Sequence, residues 1–147
     1  MKGYRFRLEP VLRVRRIQEE RARAQLAMSR RAEADAAAET GRRRGLFAAA
    51  RNAGLPDGSQ RQWSAERDRQ DRLAAAVISA QTAEAHAADL AFGNLSKWEE
   101  AAVALRTLER LDERSREVWN EEQRQVEQRD LDELTSARAA RTRQRSK

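Results

Sequence analysis

The chain has 147 residues, 37% of them charged, a formal net charge of +6 and no cysteine. That composition excludes disulfides, cysteine–zinc sites and thiol chemistry, and it leaves too few large apolar side chains for a three-dimensional core, though enough for a one-dimensional seam. No apolar run approaches the roughly 20 residues of a membrane-spanning helix, and the opening MKGYRFRLEP has a basic start without the apolar stretch of a secretory signal, so the sequence predicts a cytosolic protein.

Pro10 suits the first turn of a helix, where its missing N–H costs nothing. A first helix is predicted over about residues 8–51, tolerating Gly41 and Gly45 at roughly 1 kcal/mol each against alanine. Its apolar residues, Leu8, Val11, Leu12, Val14, Ile17, Ala22, Leu26, Met28, Ala32 and Ala36, keep to no single heptad. A weak, drifting seam is expected there. The stretch from Asn52 to Ser59, with Gly54, Pro56, Asp57 and Gly58, is the one dense cluster of helix breakers and reads as a turn. Ser59 and Gln62 have capping-box spacing, so a second helix is predicted over about 60–138.

The second helix carries the stronger pattern. Steps of seven from Trp63 reach Gln70, Val77, Glu84, Ala91, Trp98, Leu105, Asp112, Trp119 and Val126, and so collect every tryptophan of the chain. The companion positions are Leu73, Ala80, Ala87, Asn94, Ala101, Leu108 and Ser115. This is the a/d repeat of a coiled-coil seam. Gly93 and Asn94 are expected to loosen it. Acid-first i,i+4 pairs (Glu9/Arg13, Glu19/Arg23, Glu39/Arg43, Asp68/Arg72, Asp112/Arg116) support both helices from outside.

The fold class read from these elements is all-α: one coiled-coil domain over 1–147, a hairpin of two antiparallel helices with the second the longer, and a basic tail at 139–147. At 1.5 Å per residue the arms span roughly 60 and 120 Å. Helix 1 therefore covers helix 2 only to about Leu105. Leu108, Trp119, Val126, Leu131 and Leu134 would continue as an uncovered apolar stripe, which marks a partner's site.

Catalytic machinery is not evident. His86 is the only histidine and lies among alanines; no cluster has metal-ligand spacing, and no glycine-rich phosphate loop occurs. The sequence predicts no enzyme, no cofactor and no metal. Two basic clusters remain. Lys2, Arg5, Arg7, Arg13, Arg15 and Arg16 stand near the start, and Arg138, Arg141, Arg143, Arg145 and Lys147 near the end, with an acidic excess over 112–133 between them. In an antiparallel hairpin both clusters share the end away from the turn. Interleaved acids and the lack of an aromatic platform argue against nucleic acid as a partner. A surface for docking a partner is predicted from Phe6, Leu8 and Leu12 with Trp119 and Val126.

Both ends resemble a known family, the flagellar export proteins called FliJ. The segment Phe6-Arg7-Leu8-Glu9-Pro10-Val11-Leu12-Arg13 is similar to the family's opening Phe-x-Leu-x-x-Val-Leu followed by a basic residue, and Ala22 and Leu26 continue its early helix. Leu105-Arg106-Thr107-Leu108-Glu109-Arg110-Leu111, then Leu131-Asp132-Glu133-Leu134 before a basic tail, resembles its late helix. The resemblance implies a stalk-like coiled coil of the type III export apparatus, whose ends enter the pore of the hexameric export ATPase. It also implies contact with the cytoplasmic part of the export-gate membrane protein, here at Leu73, Ala76 and Ala80, and escort of export chaperones. The implied location is cytoplasmic, at the inner membrane of the flagellar base and peripheral to it only through partners. The alternatives are a homodimeric coiled-coil scaffold and an injectisome stalk protein.

Overall fold

The computed structural model describes residues 3–54 and 56–145, and side chains except those of Ala140 and residues 142–145. Lys2 and Lys147, and the side chains of Arg143 and Arg145, lie outside the described residues. The chain is all-helical: α1 spans Glu9–Ala53 (45 residues) and α2 spans Gln60–Arg145 (86 residues). The two helices contact one another, as a helical hairpin requires. Among the described residues no helix is long and apolar enough to cross a membrane.

Local chemistry accounts for the boundaries. Gly54 ends α1 at φ +70°, a left-handed C′ position that suits glycine, and its N–H donates to the Arg51 carbonyl at 3.2 Å. At the start of α2 the predicted capping pair forms, with the Ser59 N–H donating to Gln62 Oε1 at 2.8 Å. The Trp63 indole N–H donates to the Pro56 carbonyl at 2.7 Å, tying the turn to the first turn of α2. Trp63 is thus an exposed fastener of the turn rather than the seam residue that its spacing suggests. Helix α2 runs unbroken through Gly93. It also runs through 139–145, where a tail is expected: Ala139, Ala140 and the arginines there are good helix formers, and nothing breaks the pattern.

The chain packs as two compact units: Ile17–Ala102, and Met1–Arg16 with Val103–Lys147. In the first unit Trp98 meets Glu19 and Gln70 meets Ala50. In the second Arg16 meets Glu109. In the first unit residues advance along α1 as they recede along α2, so the pairing is antiparallel.

Burial defines the seam. On α2 the positions Gln70, Val77, Glu84, Ala91, Trp98, Leu105, Asp112 and Trp119, with their companions Leu73 to Ser115, are all half-buried or buried. On α1 the drifting seam is corrected. Leu12, Glu19, Leu26, Glu33, Thr40 and Phe47, with Ala22, Ser29, Ala36 and Ala50, are covered and follow one heptad, which exposed Arg43 interrupts. Val11, Val14, Ile17 and Met28 face out. The polar members are accommodated by hydrogen bonds. Thr40, 1% exposed, donates to the Ala36 carbonyl at 3.1 Å, and Ser29 donates to the Leu26 carbonyl at 3.0 Å. No buried side-chain polar atom among the described residues lacks a partner.

Candidate docking surface

The unit formed by the N-terminal segment with the later part of α2 holds most of the predicted site residues. Residues 3–6 are non-helical and alternate in exposure: Tyr4, Phe6 and Leu8 turn inward, Arg5 and Arg7 outward. The Tyr4 hydroxyl donates to Asp112 Oδ1 at 2.7 Å and lies 3.1 Å from that residue's carbonyl oxygen. Its ring stands 6.0 Å from the Trp119 ring, centroid to centroid, tilted by 56°. The Arg116 guanidinium sits over the Tyr4 ring, 5.3 Å from its centroid, and 3.4 Å from Asp112 Oδ2. Removal of the phenol from water, followed by the hydrogen bond to and the charge of Asp112, raises the Tyr4 pKa above 10.0. Both effects favour the neutral phenol.

These contacts correct two expectations. Cover of α2 does not stop near Leu105 but continues to Trp119, because the non-helical segment before α1 carries Tyr4 onto Asp112 and Trp119. Phe6 (8% exposed) and Leu12 (1% exposed) are consumed by this packing; Leu8 and Trp119 are half-buried, and only Val126, 47% exposed, stands open. The predicted docking set is therefore mainly the intramolecular support of a surface. The outward groups beside it are arginines. A cleft of about 720 Å³ is lined by Arg5, Arg7, Arg13 and Arg116 against Glu9 and Asp112. The spacing Arg5-Phe6-Arg7 in a non-helical segment, with its period of two, was the signal for this division. Past Gln123 every described side chain is exposed.

In the other unit Glu19 is the notable group. It is a seam carboxylate, 4% exposed. Its Oε1 accepts from the Trp98 indole N–H at 2.8 Å and from Arg23 Nη2 at 2.7 Å and Nε at 3.1 Å. The Trp98 bond lowers its pKa first, burial opposes, and Arg23 adds to the lowering. No sequence period marks this residue, because a charged side chain at a seam position reads as a break. The three residues implied for gate contact, Leu73, Ala76 and Ala80, are half-buried on this unit's covered side, while Ile78 beside them is exposed. His86 is exposed. Among the described residues no group of three or more His, Cys, Asp or Glu could hold a metal ion.

No protein-family model, no curated protein and no solved structure matches this chain.

Proposed function

We propose that the chain is a non-catalytic coupling protein of the flagellar type III export apparatus, a coiled-coil stalk that links the hexameric export ATPase to the cytoplasmic part of the export gate and escorts export chaperones. The observation that carries the reading is the construction of the unit around Tyr4 and Trp119. There, a motif-bearing N-terminal segment is locked onto α2 and presents arginines around a cleft, while Val126 stands exposed farther along α2. The opening from Phe6 to Arg13 supplies the resemblance, and the burial of Phe6 and Leu12 gives its apolar positions a physical reason. Docking then falls to Arg5, Arg7, Arg13 and the α2 surface from Trp119 to Val126, where charge orients the encounter. The gate contact near Leu73, Ala76 and Ala80 would use the rim of the seam together with Ile78. The protein would reach the inner membrane only through these partners.

The test is stimulation of the purified hexameric ATPase by the chain, with Arg5→Glu/Arg7→Glu and Val126→Glu as variants. The reading expects stimulation by the parent chain and its loss in the variants at unchanged helix content. Absence of both stimulation and co-sedimentation with the hexamer would overturn it.

A further inference from the structure

We infer that two copies of this chain pair antiparallel through the last part of α2, with Leu134 on the two-fold axis. The inference does not rest on the export reading. Past Gln123 the described side chains, Val126, Leu131 and Leu134 among them, are exposed, so no described residue covers this stretch.

Charge selects the occupant and its direction. Residues 121–133 carry Glu121, Glu122, Glu127, Asp130, Asp132 and Glu133 against Arg124 and Arg129, whereas every charged residue after Leu134 is basic, beginning with Arg138 and Arg141. A helix with an acidic first half and a basic second half complements an antiparallel copy of itself. A parallel copy would lay acid on acid, and like charges across an interface are penalised.

The register follows from the same residues. With Leu134 opposite its own copy, Glu127 falls opposite Arg141, Asp130 opposite Arg138, and Leu131 opposite Ala137. Asp132 meets Ser136 and Arg129 meets Ala139, so none of these positions faces a like charge. An axis at Asp132 would instead gather Asp130, Asp132 and Glu133 of both copies around it. At 100° per residue, Glu127, Asp130, Leu134, Ala137 and Arg141 share one face about 80° wide, with Val126 and Leu131 flanking it. Arg138 can serve a partner in its own chain as well as Asp130 of the copy, because a guanidinium has five N–H donors. Few large apolar groups are buried and the ion pairs stay near solvent, so the dimer is weak and salt-sensitive.

Sedimentation of the full chain at low salt is expected to show a monomer–dimer equilibrium that weakens about tenfold or more when salt is raised from about 50 to about 500 mM. Glu127→Arg/Asp130→Arg should give a monomer, and adding Arg138→Glu/Arg141→Glu should restore the dimer, with helix content by circular dichroism unchanged throughout. Because the chain has no cysteine, Leu134→Cys should form an intermolecular disulfide readily and Asp130→Cys should not. Three results would each overturn the proposal: a parent chain monomeric at several hundred micromolar in low salt, a charge-reversed variant that dimerises like the parent, or equal cross-linking at 130 and 134.

Discussion

Replacing Glu19 by alanine probes the seam at its most polar point. The substitution removes the carboxylate that accepts from the Trp98 indole N–H, at 2.8 Å, and from Arg23. A part-buried donor left without a partner costs about 1–3 kcal/mol. Relief of the desolvation of a carboxylate only 4% exposed offsets part of that, so a net loss of about 1–2 kcal/mol is expected. Trp98→Phe should cost a similar amount beyond its change in packing. The double variant should cost less than the two singles together, by roughly 1 kcal/mol, since the residues touch. The folded pKa of Glu19 lies below its ordinary 4.5. Its charge-dependent contribution is therefore present above about pH 4.5 and is lost as pH falls through the lowered value. Urea unfolding followed by circular dichroism, for parent, Glu19→Ala, Glu19→Gln and Trp98→Phe, measures each of these terms. Additive costs in the double variant, or a parent-to-Gln difference that persists unchanged at pH 2–3, would refute the reasoning.

Three further outcomes are expected. Leu12→Ala, at a position 1% exposed, should destabilise by about 2–5 kcal/mol, whereas Val14→Ala two residues on should change stability by only about 0.5 kcal/mol; equal costs by thermal unfolding would contradict the heptad assigned to α1. Gly54→Ala forces a side chain into the left-handed region at φ +70° and should cost about 1–2 kcal/mol, again read by unfolding; no loss would mean that the turn adopts another conformation. Tyr4 is the only tyrosine of the chain, so tyrosinate absorbance reports it alone. Its midpoint should lie above 10.0, and the stability contribution of the neutral phenol should be present below about pH 10 and lost as pH rises through the folded value. Asp112→Asn should bring the midpoint down, and a parent midpoint at or below 10 would contradict the latch onto α2.

Helix α2 was legible in the sequence because its seam positions carry large apolar groups, Trp98, Leu105 and Leu108 among them, at a heptad interval that persists across polar positions such as Glu84 and Asp112. Helix α1 was not, for a physical reason. Its heptad is occupied by Glu19, Ser29, Glu33 and Thr40, which read as surface. Glu19 is tolerated because Trp98 and Arg23 donate to it, and Ser29 and Thr40 because each bonds its own helix backbone. Meanwhile Val11, Val14, Ile17 and Met28, which a hydrophobicity count favours, are left outward; a hairpin this narrow has no second layer to receive them. The turn was readable residue by residue from Gly54 and from the Ser59–Gln62 cap. The docking residues were readable only in part. Phe6 and Leu12 stand in an apolar pattern that serves the hairpin itself, and the cover that Tyr4 gives Trp119 depends on a segment outside any helix, whose period of two marks which side chains turn inward but not where the segment lies.

Direct measurement of the α1–α2 register tests the central structural claim, that the polar heptad of α1 is the seam. Glu19 opposite Trp98 places Leu26, seven residues on, opposite Ala91, seven residues back, and both are buried. In a chain without cysteine, Leu26→Cys/Ala91→Cys should oxidise to an intramolecular disulfide, while Met28→Cys/Ala91→Cys, with residue 28 on the outward face, should not. Quantified by electrophoretic mobility and mass, near-complete closure of the first pair and little closure of the second is the predicted result. Preferential closure through residue 28, or equal closure of both, would contradict the account.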